Sequence, residues 1–266
     1  MIAFERLISK LGTEDWPRIY DMRGDDEVAK TPRLLPAARR LSQGDLIAAV
    51  AAEPGARTAA HVVYCQKGGP RAEAAAAALR AEGYGVESLI GGVTAWLAAD
   101  GPTIASTALG SLQSPSRWIT RARPKIDRIA CPWLIRRFVD ARAVFHYVEA
   151  ASVFDAARLL QAEPYDIDGA KFSHDDDECS FDAFIKAFDI RDEALARVAT
   201  IVRGADTSRL DLAPESAGLL AMSLGLSAAC ERDEDMLARA TTLYDGLYAW
   251  ARSASAERHN WTSKPA

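Results

Sequence analysis

The spacing of hydrophobic and polar positions changes period several times along this chain, and each change predicts an element. Met1 to Leu11 spaces its apolar residues as a short amphipathic helix. Arg18-Ile19-Tyr20 predicts a strand ending at Asp21-Met22-Arg23, and Gly24 to Glu27 reads as a polar loop. Leu34 to Leu41 and Gly44 to Ala52 carry helical spacing, and Pro54-Gly55 predicts a turn. His61 to Tyr64 is short, apolar and partly β-branched, the pattern of a buried strand, and Cys65 ends it. Gln66 to Pro70 forms a loop, and the Ala-rich run from Arg71 to Glu82 has high helix propensity. Gly83-Tyr84-Gly85 breaks that helix before a strand over Val86 to Ile90. Gly91-Gly92 then turns into a short helix, closed by Asp100-Gly101-Pro102. Strands alternating with helices predict a parallel sheet flanked by helices.

The pattern changes after residue 103. Thr103 to Ser116 is rich in Ser, Thr, Gly and Pro and aperiodic, as a linker is. Ile126, Ile129, Ala130, Trp133, Leu134 and Phe138 then keep helical spacing, with Pro132 expected in a first turn. Phe145 to Val148 predicts a strand, Val153 to Gln161 a helix capped by Ser152, and Tyr165 to Ile167 another strand. Helices follow at Phe181 to Phe188, Asp192 to Arg203, Pro214 to Cys230 and Glu234 to Arg252. The expected organisation is an α/β domain over 1–103, a linker over 104–122, a mostly helical α+β domain over 123–255 and a flexible tail over 256–266.

Composition narrows the possibilities. The net charge of −5 supplies no global field for nucleic acid or anionic membrane. No apolar run approaches the roughly 20 residues of a membrane span, and the N-terminal stretch lacks the uninterrupted apolar core of a signal peptide. Cysteines 65, 131, 179 and 230 lie far apart, so a reducing, cytoplasmic setting is expected rather than a disulfide framework. Arg117 to Arg137 holds seven basic residues against the single acid Asp127; it is either a solvated face or a local patch for an oxyanion or nucleic acid.

The densest chemistry lies around Cys65. A cysteine at a strand end, followed by a tight loop and a helix, meets several backbone N–H groups and the positive end of a helix dipole. Such a setting favours the nucleophilic thiolate. The amides of Gln66, Lys67, Gly68 and Gly69, with Arg71, suit a tetrahedral oxyanion or the terminal sulfur of a persulfide. Pro70 removes one N–H from that cradle.

Residues 15 to 103 resemble a rhodanese domain. The likeness rests on Asp21-Met22-Arg23 after the first strand, on the Cys65 loop leading into a helix, and on GGVTAWLAADGP from Gly91 to Pro102. It implies a Cys65 persulfide held by the loop amides and Arg71. Asp21 and Arg23 would support it, and no cofactor would be needed. The Gly-His-Ile segment usual after the first strand is replaced by Lys30-Thr31-Pro32-Arg33. The C-x5-R spacing from Cys65 to Arg71 is similar to that of rhodanese-like phosphatases and arsenate reductases.

In the second half, His174 to Cys179 crowds imidazole, carboxylate and thiol groups into one stretch, HDDDEC. A divalent metal accepts such donors, with Asp127 and Asp206 as further candidates; a solvated acidic loop is the plain alternative. IDRIACPWLIRRF, the His174 region with SFD after it, IVRGAD and YDGLYAWAR together resemble the C-terminal domain of the chromate-resistance ChrB family over 123 to 252.

Three functions follow as expectations. The first is a sulfurtransferase module in a chromate-resistance protein, taking sulfane sulfur from a thiosulfate-like donor to a thiol acceptor. The second is a chromate-responsive regulator, in which the Cys65 loop or the His174 region senses an oxyanion or metal and the basic stretch contacts DNA. The third is phosphatase or arsenate-reductase chemistry on the C-x5-R loop.

Overall fold

The computed structural model describes residues 1–109, 112 and 114–257; of the expected tail, residues from 258 on lie outside these. The N-terminal half runs α1 (Phe4–Ile8), β1 (Arg18–Asp21), α2 (Asp25–Lys30), β2 (Arg33–Leu34), β3 (Arg39–Arg40), α3 (Leu46–Ala51), β4 (His61–Tyr64), α4 (Pro70–Ala81), β5 (Val86–Ser88) and α5 (Gly92–Ala98). Strands β3, β1, β4 and β5 lie side by side in that order, all parallel. Every residue of β4 is buried, as the unbroken apolar run His61 to Tyr64 requires of a central strand. The Ala-rich face of α4 packs close to this sheet through Ala72, Ala75, Ala76 and Leu79.

A helix expected over Leu34 to Leu41 is replaced by two short strands. Pro36 cannot donate within a helix, and Ala37 takes a φ of 54°, so the chain turns there. β2 leaves the parallel sheet and pairs antiparallel with β6 (Ile104–Ala105).

The expected linker over 104–122 is also corrected. Its start is β6, and its end is β7 (Arg117–Arg121), the central strand of a second parallel sheet with β8 (Val144–Val148) and β9 (Glu163–Pro164). Trp118 and Thr120 in β7 are buried, and the flanking polar residues hid this pattern in the sequence. Helices α6 (Asp127–Leu134), α7 (Val153–Leu160), α8 (Ser180–Ala187), α9 (Glu193–Asp206), α10 (Glu215–Ala229) and α11 (Asp233–Ala249) complete the second half.

Pro132 lies inside α6 rather than in its first turn. A proline there leaves the carbonyl four residues back without its helical partner. The Tyr165 hydroxyl takes that place, donating to the Arg128 carbonyl at 3.2 Å.

The halves share one apolar core. Trp96, Leu34 and Ile104 from the first belong to the same buried cluster as Trp118, Phe138 and Tyr248 from the second. The Thr103 amide and carbonyl both bond to Arg191, and the Arg252 guanidinium donates to the Ile8 carbonyl at 2.6 Å. Gly12, at φ 76°, lies against the ring of Tyr248, where a Cβ would come within 2.2 Å of the ring. First and last helices are thereby locked together.

Candidate functional site

Cys65 sits at the carboxyl end of β4, where parallel sheets place ligands, and the residue is 6% exposed. The loop after it is shaped by the Gly91-Gly92 turn. The amides of Val93 and Thr94 donate to the carbonyls of Cys65 and Gln66 at 3.1 and 3.0 Å, and the Thr94 hydroxyl reinforces the second at 2.8 Å. With those carbonyls turned toward α5, the amides of Gln66, Lys67, Gly68 and Gly69 donate to no other group among the described residues. Gly68, at φ 68°, sits so close to Gly91 that a Cβ would stand 2.6 Å from its nitrogen. The Cys65 sulfur itself lies 3.9 Å from the Gly69 carbonyl.

Asp21 and Arg23 form a fully buried pair behind this loop. The Arg23 guanidinium holds Asp21 through Nη2 at 2.7 Å and through Nε at 3.0 Å, and reaches the carbonyls of Thr31 at 2.9 Å and Arg33 at 2.7 Å. It also meets Gln66 Oε1 at 3.5 Å, which ties the pair to the cysteine loop. Arg71, at the second position of α4, is half exposed and pairs with Glu27; its Nη1 lies 3.4 Å from the Met22 carbonyl. Arg71 and Arg40 border an open cavity of about 700 Å³ with Met22, Arg23 and Gly24.

A second cluster forms at the carboxyl ends of β7 and β9. Asp127 opens α6 after β7, Asp166 follows β9, and Asp206 ends α9. His174 Nε2 meets all three: Asp127 Oδ2 at 3.3 Å, Asp166 Oδ1 at 3.3 Å and Asp206 Oδ2 at 3.1 Å. Ligand atoms of Asp127, His174 and Asp206 all lie within 4.8 Å of one another. Asp166 Oδ2 is held by Arg121 and Arg128, each at 3.0 Å, while its Oδ1, which faces His174, accepts the Ser180 hydroxyl at 3.0 Å. The Ser180 amide, at the start of α8, donates to Asp127 at 3.3 Å.

Electrostatics follow from this crowding. The hydrogen bond to Asp127 and the surrounding carboxylates push the His174 imidazole up to about 9. Burial and the charges of Asp127 and Asp166 push Asp206 up to about 7, and burial with Asp127 raises Asp166. Two of the acidic positions adjoin backbone in the left-handed region: Ile126 has φ 40° and Asp166 has φ 49°. The Tyr244 hydroxyl fixes the Ile126 carbonyl at 3.0 Å.

The family model described as "ChrB, C-terminal domain" matches residues 118–251, half of the chain. The chain belongs to this family. The family model described as "Rhodanese-like domain" matches residues 4–99. Protein ChrB of Cupriavidus metallidurans is 32% identical over 133 residues, covering 50% of this chain and 40% of that protein. The chain therefore spans well under half the length of the curated relative it matches. Among solved structures, a protein of unknown function and possible tyrosine phosphatase from Rhodopseudomonas palustris is 26% identical, with a TM-score of 0.33. It covers 38% of this chain and 81% of that one. A rhodanese-related protein from Thermoplasma volcanium is 19% identical at the same TM-score, covering 38% and 94%.

Within the ChrB C-terminal domain, the structure brings together Asp127, His174 and Asp206 of the residues singled out in sequence. Cys179 is not in the group of donor atoms that lie within 4.8 Å of one another. It precedes α8, and its thiol lies 3.4 Å from Asp182 Oδ2. Burial first, then the nearby carboxylates, push that thiol up, so it resists becoming a thiolate. Asp166 escaped sequence reading because it falls within Tyr165 to Ile167, which reads as a strand, and outside the HDDDEC stretch that follows. The only signal available was Asp-x-Asp-Gly ending a strand-like run. The basic stretch of this domain is largely turned inward: Arg121 and Arg128 serve Asp166, Arg137 holds Asp245 at 2.7 Å, and Arg123 bonds to the Cys230 carbonyl at 2.8 Å. Among the described residues no helix is long and apolar enough to cross a membrane.

Proposed function

We propose that this chain is a chromate-resistance protein whose rhodanese-like half carries sulfane sulfur on Cys65. The observation that supports it most is the Cys65 loop, in which the thiol stands at a strand end and the four amides that follow it have no other partner among the described residues. In the forward step the Cys65 thiolate attacks the outer sulfur of a thiosulfate-like donor. The S–S bond of the donor breaks, sulfite leaves with the electron pair, and the sulfane sulfur stays as a cysteine persulfide. A thiolate or cyanide acceptor then attacks that outer sulfur and frees Cys65. The loop amides stabilise the negative charge in both steps, and Arg71, in the first turn of α4, attracts the anionic donor. The Asp21–Arg23 pair supports the loop from behind and stays out of the chemistry. Pro70 leaves the loop one donor short, which favours a single terminal sulfur over a fully encircled XO4 group.

The test is thiocyanate formation from thiosulfate and cyanide. Cys65→Ser is expected to abolish it and Cys230→Ser to leave it intact; equal rates in both would refute the reading. Turnover of an aryl phosphate or arsenate without thiocyanate would move the loop to phosphatase or arsenate-reductase chemistry.

A second reading concerns the ChrB C-terminal domain. The convergence of three carboxylates on His174 supports binding of a divalent cation there. Regulation through DNA has less to support it, since the guanidiniums of Arg121, Arg123, Arg128 and Arg137 are engaged within the domain. Salt-dependent binding to promoter DNA would revive it.

A further inference from the structure

We propose that Asp127, His174 and Asp206 hold one hard divalent cation of the manganese type, with Asp166 beside it and with Cys179 outside the donor set. This rests on the cation reading of the second half and adds which donors serve and which class of ion they take.

The geometry carries the argument. One imidazole nitrogen bears at most one proton, and one proton serves one good acceptor. Here three carboxylate oxygens stand 3.1 to 3.3 Å from the same Nε2. At least two of them face it with nothing between. Such spacing is that of neighbouring donors around a common ion: atoms bound about 2.1 Å from one metal at right angles stand about 3.0 Å apart.

Charge gives a second, independent argument. Asp166 already has two guanidiniums. Asp127 and Asp206 have only His174 as a cationic partner among the described residues, yet their side chains are 2% and 13% exposed. Two buried carboxylates against one imidazole leave negative charge that a divalent ion would neutralise.

The donors also select the class of ion. Carboxylate oxygens with a single imidazole suit oxygen-preferring, six-coordinate ions, whereas thiolate-rich sets suit zinc and copper(I). The Cys179 thiol is turned to Asp182. His174 is 41% exposed on its side chain, so the cluster opens to solvent and water can complete the coordination.

The experiment titrates the full chain, stripped with chelator, with Co2+ and then with Mn2+. Saturable binding is expected, with the weak visible bands of six-coordinate Co2+, no sulfur-to-metal charge transfer, and loss of the free Mn2+ resonance signal. Asp127→Asn and Asp206→Asn should each weaken Co2+ binding by roughly tenfold or more, and Cys179→Ala should leave it unchanged. Circular dichroism confirms that the variants fold. Intense tetrahedral bands with a charge-transfer feature lost in Cys179→Ala would overturn this donor set while leaving a cation site in place. Saturable binding of neither ion, or binding undiminished in both Asn variants, would overturn the cation reading of this cluster itself.

Discussion

Gly92 approaches Cys65 so closely that no side chain fits between them: a Cβ on Gly92 would stand 2.1 Å from the Cys65 carbonyl oxygen. The same carbonyl accepts the Val93 amide, so the start of α5 is pressed onto the cysteine loop. Gly92 also has φ 57°, a conformation that side chains disfavour. Gly92→Ala is expected to destabilise the chain by about 2–4 kcal/mol through steric conflict and backbone strain. Urea unfolding measures this. Unchanged stability with full thiocyanate formation would show that the loop does not depend on this contact.

The Asp21–Arg23 pair is wholly buried. Removing one charge strands the other in a place water does not reach. Asp21→Asn is therefore expected to cost about 3–5 kcal/mol, read from the same unfolding curves. A loss below 1 kcal/mol would show that the Thr31 and Arg33 carbonyls suffice to hold Arg23.

Glu27 pairs with the Arg71 guanidinium beside the cavity that Arg71 lines. Both side chains are substantially exposed, so the pair is weak, on the order of 0.5 kcal/mol. Glu27→Gln should free Arg71 and lower the KM for thiosulfate roughly twofold, a ratio that follows from that energy. Arg71→Ala should raise KM and leave the Cys65 persulfide able to form. Steady-state kinetics over a range of donor concentrations separate the two effects.

In chelator, stability should fall as pH rises. Folded His174 keeps its proton to about pH 9, whereas the unfolded side chain releases it near 6.5. Its contribution is intact below pH 6.5 and is lost as pH rises through 9. Asp206 works in the same direction at lower pH. It titrates near 7 in the fold and near 3.9 when unfolded, so ionising it within the cluster costs stability between those values. His174→Asn should flatten the alkaline fall, measured as the midpoint of thermal unfolding at several pH values. Stability that rose from pH 6.5 to 9 would contradict the cluster as described.

Sequence carried the first half further than the second. The strand, Cys65 loop and Gly91-Gly92 turn are local signals, and each is set by residues adjacent in the chain. The helical spacing of Leu34 to Leu41 is overridden by Pro36, which with the left-handed Ala37 divides the segment into two strands. β7 was hidden because a polar stretch surrounds it and its partners lie some 25 to 45 residues away, at Val144 and Glu163. At the second cluster His174, Asp127 and Asp206 were legible as residue types. Their meeting depends on the ends of two strands and a helix, and Asp166 is visible only there.

The measurement that tests the central claim most directly is the intact mass of protein purified without reductant, before and after thiosulfate, beside Cys65→Ser. The account predicts a gain of one sulfur atom in the native chain, removed by dithiothreitol or cyanide and absent from the variant. No gain, or a gain that persists in Cys65→Ser, would contradict it.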